Sequence, residues 1–463
     1  MKELFEFSSF LENTAVKADS GEELTYGQLQ TASDEVRAYF HPHSLAFCLC
    51  TNTVGSIVGY VALVQQGVAT VLLDAYKDAA LLDNLMSIYR PNYIWAPTGS
   101  SFGEKIYENH GYILYRNSYD QIKIHPELAL LLTTSGSTGS PKLVRLTQKN
   151  LRSNAESIAE YLHISQKERP ITSLPMYYSY GMSVINSHFI MGATLLLTDK
   201  TVFDKDFWAF VKEERATSIA GVPYTYEMLK RLRFFRMDLP YLRTMIQAGG
   251  KLNANIVKEY LEYAQNNGKE FIVMYGQTEA APRMSYLPFD VALDKYASIG
   301  VAIPGGKFSI RDMNDNDVET PDTDGELVYM GDNVCMGYAE SQDDLSKGDE
   351  NHGVLHTGDV ARMDKDGFYY ITGRLKRFVK VWGNRVNLDS IEQIVKSISL
   401  ECACIGVDDK ITVYITEEDL SPQIVKYLVE KTGLNVQAFV VKFISEIPKK
   451  SSGKVDYGQL YLM

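Results

Sequence analysis

The run LALLLTT, Leu128 to Thr134, passes without a polar break into the loop Ser135-Gly136-Ser137-Thr138-Gly139-Ser140-Pro141-Lys142. A strand apolar at every position has no face to offer water, so it must be covered on both sides, as strands are in layered α/β folds. The chain supplies such a cover directly after the loop. Leu151, Ala155, Ile158, Ala159 and Leu162 recur with helical period and form one apolar face. FIVMYG from Phe271 is a second buried strand that ends in a polar loop. From Gly325 the texture changes to short strands with turn signals, GELVYMG, DKDGFYYITGR and FVKVWGNR, which predict hairpins rather than crossover units.

Composition narrows the function classes. With 463 residues the chain is long enough for two or three domains of about 150 residues each. Its net charge of −12 argues against nucleic-acid binding, which draws on clustered Lys and Arg. The stretch from Arg374 onward leans basic after a strongly acidic body, which places an expected boundary between residues 1–374 and 375–463. The N-terminal MKELFEFSSFLENTAV mixes acidic with apolar residues and does not read as a signal peptide. The most apolar stretch, from Ser56, is interrupted by Gln65 and Gln66, so no membrane span is expected and the protein is read as cytoplasmic. Cys48, Cys50, Cys335, Cys402 and Cys404 lack metal-ligand spacing and read as reduced core residues.

The loop after Leu128–Thr134 carries chemistry of its own. Gly136 and Gly139 let the backbone approach an anion, the hydroxyls of Thr134, Ser135, Ser137 and Thr138 offer donors, and Lys142 adds charge. The G-x-x-x-x-G-K-[ST] spacing of nucleotide-binding P-loops is absent. By composition the segment is either a polar turn between strand and helix or a phosphate cradle.

Further strings follow in order: Tyr275-Gly276-Gln277-Thr278-Glu279, Gly325-Glu326-Leu327, His356-Thr357-Gly358-Asp359, Gly373-Arg374-Leu375-Lys376, Lys380 to Arg385, and Pro448 to Lys454. With the TSGSTGSPK loop and the weaker LTYGQL from Leu24, this series resembles the adenylate-forming enzymes: acyl-CoA synthetases, peptide-synthetase adenylation domains and luciferases. The resemblance implies a large multi-subdomain N-terminal body of packed β-sheets and helices and a small mobile α+β C-terminal domain. It implies ATP-dependent activation of a carboxylic acid to an acyl-adenylate, with pyrophosphate released, then thioester formation on coenzyme A or a carrier-protein phosphopantetheine.

The same resemblance assigns roles. Thr134 to Gly139 with Lys142 would bind the outer phosphates, Thr278 would meet the α-phosphate, and Glu279 would ligate Mg²⁺. Tyr275 would stack on adenine beside Gly249 and Gly276, Asp359 would accept from the ribose hydroxyls, and Arg374 would reach ribose or phosphate. Lys454 would be the catalytic lysine, Lys376 the hinge, and Gly383 the neighbour of the incoming thiol.

For the acid, the pocket is expected to draw on Tyr178, Tyr180, Gly181, Tyr224, Gly249, Gly250 and Met274. Many acyl-CoA synthetases carry histidine where this chain has Tyr178. Amino-acid activators carry an Asp where it has Gly181, and a buried ammonium without that carboxylate is costly. A short or medium acyl chain or an aryl acid is therefore expected. The alternatives are an amino-acid-activating ligase that loads a free carrier protein, and a non-catalytic nucleotide-binding homologue.

Overall fold

The computed structural model describes residues 3–76, 79–120, 122–133, 142–382, 384–399, 401–449 and 455–463. Two compact units emerge. The first comprises Met1–Lys307 and Tyr329–Leu355, the second Phe308–Val328 and His356–Met463. The second unit takes in residues well before the expected border at 374/375.

The first unit is built on two sheets. In the eight-stranded one, Leu128–Thr133, Ala69–Asp74, Leu45–Cys50 and Tyr93–Pro97 lie side by side and parallel, with antiparallel strands at both edges. The interior of these four is almost wholly buried, which explains their unbroken apolar sequence. In the nine-stranded sheet, Glu270–Gly276, Thr244–Gln247, Ser218–Gly221, Pro170–Ile171, Leu195–Leu197 and Thr14–Ala18 run parallel in that spatial order. Helices return the chain between them, such as Ala254–Asn266, whose buried Val257, Tyr260, Leu261 and Ala264 share one face.

Two helices are buried on every side. Val54–Gln65 is buried from Val54 through Val64, and every residue of Ser179–Phe189 is buried. At twelve residues the former extends about 18 Å, short of the ~30 Å of a hydrocarbon core. Among the described residues no helix is long and apolar enough to cross a membrane. The helix expected from Leu151 runs Gln148–Tyr161, with Leu162 as its C-cap, and buries Leu151, Ala155, Ile158 and Ala159 as the spacing required.

The second unit has the hairpin texture expected after Gly325. Lys307–Arg311, Gly325–Met330, Val354–Met363 and Tyr369–Arg374 form a four-stranded sheet, and Phe378–Val381 pairs with Asn384–Asn387. A three-stranded sheet, Cys402–Val407, Lys410–Ile415 and Phe439–Phe443, packs with the helices Leu388–Lys396 and Ser421–Thr432. Glu392 is buried there, and its carboxylate accepts from Arg377 at 2.5 Å, the Cys404 N–H at 2.8 Å and the Tyr457 hydroxyl at 3.0 Å. A buried acid so partnered stays in place because both oxygens that lost water regained a donor. All five cysteines are buried and free.

Candidate active site

In the nine-stranded sheet the C-terminal ends of neighbouring parallel strands deliver the loops that the sequence singled out, as ligand sites in open α/β sheets do. Pro170–Ile171 leads to Tyr178-Ser179-Tyr180, Thr244–Gln247 to Gly249-Gly250, and Glu270–Gly276 to the turn Thr278–Ala280. Buried Asn52, just past Leu45–Cys50, fixes the first of these loops. Its amide donates to the carbonyls of Thr172, Leu174 and Thr198 and accepts from the Met176 N–H.

The loops meet. The hydroxyls of Ser179 and Thr278 lie 3.1 Å apart. Gly249 has φ +84°, and a Cβ there would fall 2.7 Å from the Tyr178 hydroxyl, so only glycine leaves that phenol its place. Gly250 follows, its carbonyl accepting from Gln247 at 3.0 Å. Tyr275 is half-buried at the strand end, with Gln277 donating to its hydroxyl at 3.4 Å. Tyr180 is fully buried and donates to the Ile246 carbonyl at 2.7 Å, while Met274 accepts from Tyr161 through its sulfur at 2.9 Å. Tyr224, also expected in the pocket, is exposed at the start of the Pro223–Arg231 helix.

Gly181 admits no side chain. A Cβ would sit 2.2 Å from the Pro175 carbonyl oxygen, so neither Asp nor even Ala can occupy the position as the backbone stands.

Glu279 is held from outside its own motif. The Tyr338 hydroxyl donates to its Oε1 at 2.8 Å, and Lys142 places its ammonium 3.7 Å from the Tyr338 ring centre and 3.6 Å from Glu340. Burial first, and the adjacent Glu279 charge second, push the Tyr338 phenol well up, so it stays a proton donor. Tyr338 is anchored by fully buried Arg145, which donates to the carbonyls of Tyr338, Met336, Lys347 and Gly348 and pairs with Glu350 at 2.5 Å. The second Glu279 oxygen has no protein donor among the described residues. One free carboxylate oxygen suits Mg²⁺, which takes one or two protein carboxylates and fills its octahedron with water and phosphate oxygen. Among the described residues no cluster of three or more His, Cys, Asp or Glu forms an all-protein cage.

In the second unit Asp359 and Arg374 face each other across a hairpin, Arg374 Nε donating to the nearly buried Asp359 carboxylate at 3.2 Å. Glu326 ties two of the motifs together. Its Oε1 accepts from the Gly358 N–H at 3.1 Å, and its Oε2 lies 3.1 Å from His356 Nδ1. Lys376 stands in the Leu375–Arg377 turn, its side chain outside the described residues. Thr134, Ser135, Gly136, Ser137, Thr138, Gly139, Gly383 and Lys454 lie outside the described residues altogether.

Ser179, Glu326 and Tyr338 carry site geometry to which the sequence alone gave no role. Glu326 had a signal in its Gly-Glu-Leu string; Tyr338 touches Glu279 across 59 positions, where no local pattern reaches.

The family described as AMP-binding enzyme matches residues 8–339. The chain belongs to that family. Among its relatives, a long-chain-fatty-acid–CoA ligase of Escherichia coli O157:H7 is 32% identical over 74% of this chain and 63% of its own length. A feruloyl-CoA synthase of an Amycolatopsis species is 30% identical over 61% of this chain and 57% of its own length. The chain spans about three fifths of the length of these curated relatives. Its fold is that of the o-succinylbenzoate coenzyme A synthetase of Bacillus subtilis in complex with AMP (TM-score 0.80, 21% identity, 98% of this chain and 96% of that one). ATP-bound MatB of Rhodopseudomonas palustris shares it too (TM-score 0.78, 20% identity, 99% and 97%).

Proposed function

We propose that this chain condenses a carboxylic acid with ATP to give an acyl-adenylate and pyrophosphate, then transfers the acyl group to a thiol. The observation that carries the reading is the meeting of Thr278, hydroxyl to hydroxyl with Ser179, and the Tyr338-held Glu279 at the ends of parallel strands. Membership of the AMP-binding family and the CoA ligases and synthases among the relatives support it.

In the first step a carboxylate oxygen attacks the α-phosphorus and the bond to pyrophosphate breaks. Two anions must approach, so catalysis consists of aligned donors and positive charge. Thr278 donates to the α-phosphate with Ser179 orienting its hydroxyl, Tyr275 offers a π surface for adenine, and Asp359 accepts from the ribose diol. Lys454 brings an ammonium to the charge that develops, and Thr134 to Gly139 with Lys142 bind the outer phosphates. Glu279 would hold Mg²⁺, which when bound neutralises phosphate charge. In the second step the thiol loses its proton to solvent, its sulfur attacks the acyl carbon, and AMP leaves with the bonding pair. Residues 375–463 act as the module that turns about Lys376 between the two steps, with Gly383 leaving room for the pantetheine.

The acceptor is coenzyme A, with the phosphopantetheine of a free acyl carrier protein as the alternative, and the setting is the cytoplasm. An α-amino acid substrate is disfavoured because position 181 has no space for the carboxylate its ammonium needs. Carboxylate-dependent ATP–pyrophosphate exchange over fatty, aryl and amino acids tests the reading. One acid class supports exchange in the parent, and Lys454→Ala lowers it by about 10²-fold or more. ATP binding without exchange for any acid would instead mark a nucleotide-binding homologue.

A further inference from the structure

Behind the Ser179–Thr278 contact lies a buried cation. Arg283 is 3% exposed and stands opposite Gly276 in the antiparallel pairing that closes the Glu270–Gly276 strand. Its backbone is pinned on both sides. The N–H donates to Asn154 at 3.3 Å, and the carbonyl accepts from Asn154 at 2.9 Å and from Asn333 at 2.8 Å. The guanidinium lies over the Tyr180 ring, 3.7 Å from its centre, and its charge acts on Tyr161, whose hydroxyl proton goes to Met274 Sδ.

What it lacks is an anion. Among the described residues no carboxylate pairs with Arg283, and its Nε–H is buried without an acceptor. A guanidinium has five N–H donors and cannot shed its charge, so burial against neutral phenols leaves most of its electrostatic demand unmet. Fully buried Arg145 in the same unit shows the contrasting case, with four carbonyls and a carboxylate around it.

The place is suggestive of a partner. Tyr180, which carries the guanidinium, follows Ser179 on the first turn of its helix, and Ser179 touches Thr278, where the reacting carboxylate would meet the α-phosphate. Tyr178, on the same turn, feels the Arg283 charge as well. We propose that Arg283 is a specificity residue that binds a second anionic group on the acid, so that the substrate is a dicarboxylate whose far end takes the buried guanidinium as counter-ion. The proposal rests on the ligase reading and sharpens its substrate class. It also gives a second reason against α-amino acids, because a buried cation in the pocket repels an ammonium.

Matched acids differing only in a terminal methyl or carboxylate test it: butyrate and succinate, octanoate and octanedioate, 4-methylbenzoate and terephthalate. In exchange assays at least one diacid should exceed its methyl-ended partner by about 10²-fold in kcat/KM, mostly through KM, and Arg283→Met should erase that advantage while changing the methyl-ended acid by less than about threefold. Arg283→Lys should recover part of it. Calorimetric titration of the preferred diacid into the parent and Arg283→Met gives a readout independent of turnover, with binding lost in the variant. Preference for the methyl-ended acids, or an equal loss on both members of each pair, would overturn the proposal and leave the ligase reading intact; equal loss would mean that Arg283 serves the fold or the reacting carboxylate. No exchange with any acid would overturn the ligase reading and the proposal together. If Arg283→Met does not fold, the parent's ratios and Arg283→Lys decide.

Discussion

Arg145 and Arg283 are both buried in the first unit, and they are buried in opposite ways. Around Arg145 the chain has placed anions and dipoles on every nitrogen: four carbonyls and Glu350 meet the fork, and the segment bearing Tyr338 hangs from it. Around Arg283 it has supplied two aromatic side chains and left Nε–H unanswered. The same residue type thus serves as a structural rivet on the Glu279 side of the site and as an unspent charge on the Tyr180 side. Saturation separates a buried cation that builds from one that waits for a ligand.

That contrast can be broken by experiment. Arg145→Met should lower unfolding free energy by about 3–5 kcal/mol in a urea titration, since it orphans several carbonyls and a carboxylate together. His188, on the helix that carries Tyr180, gives a pH window. Burial lowers its pKa to about 4 from 6.5, with Nδ1 2.7 Å from the Val184 carbonyl. The folded protein therefore resists a proton that the unfolded chain accepts, so stability falls as pH drops from 6.5 towards 4 and is flat above, a loss of up to about 3 kcal/mol. His188→Phe should flatten that segment of a stability–pH curve. A smaller effect is expected of Tyr338→Phe, which frees one Glu279 oxygen: the Mg²⁺ concentration for half-maximal exchange should rise about tenfold with the fold unperturbed. Smallest of all, Arg283→Met should change unfolding free energy by no more than about 1 kcal/mol, because the lost ring contact is offset by relief of an unpaired charge. A loss at Arg283 as large as that at Arg145 would erase the distinction.

How much of this was legible beforehand follows from the range of the contacts. The parallel strands could be read because burial on both faces writes itself as an unbroken apolar run, as in Leu128–Thr133, and the following helix because its period is local. Thr278 and Glu279 were singled out as a short string, and they follow the end of a strand. Tyr338, Arg145 and Arg283 were not, since their roles arise from contacts across the sheets, and a lone Tyr or Arg in sequence carries no sign of what it will face. The second unit's early beginning at Phe308 was hidden for the same reason: Asp322 N–H donates to the Met363 carbonyl, a tie that no local pattern announces.

Gly181 bears on what this protein can become. The resemblance implies an acidic side chain at that place in amino-acid activators, yet here the Pro175 carbonyl stands 2.2 Å from where a first side-chain carbon would go. On the proposed ligase reading, no single codon change at position 181 converts one specificity into the other. The helix turn has to move away from the 174–176 segment before the new residue can be accepted, and Asn52 anchors that segment from another sheet. The route between the two substrate classes therefore runs through a backbone rearrangement, and directed evolution that varies position 181 alone should return only non-functional clones.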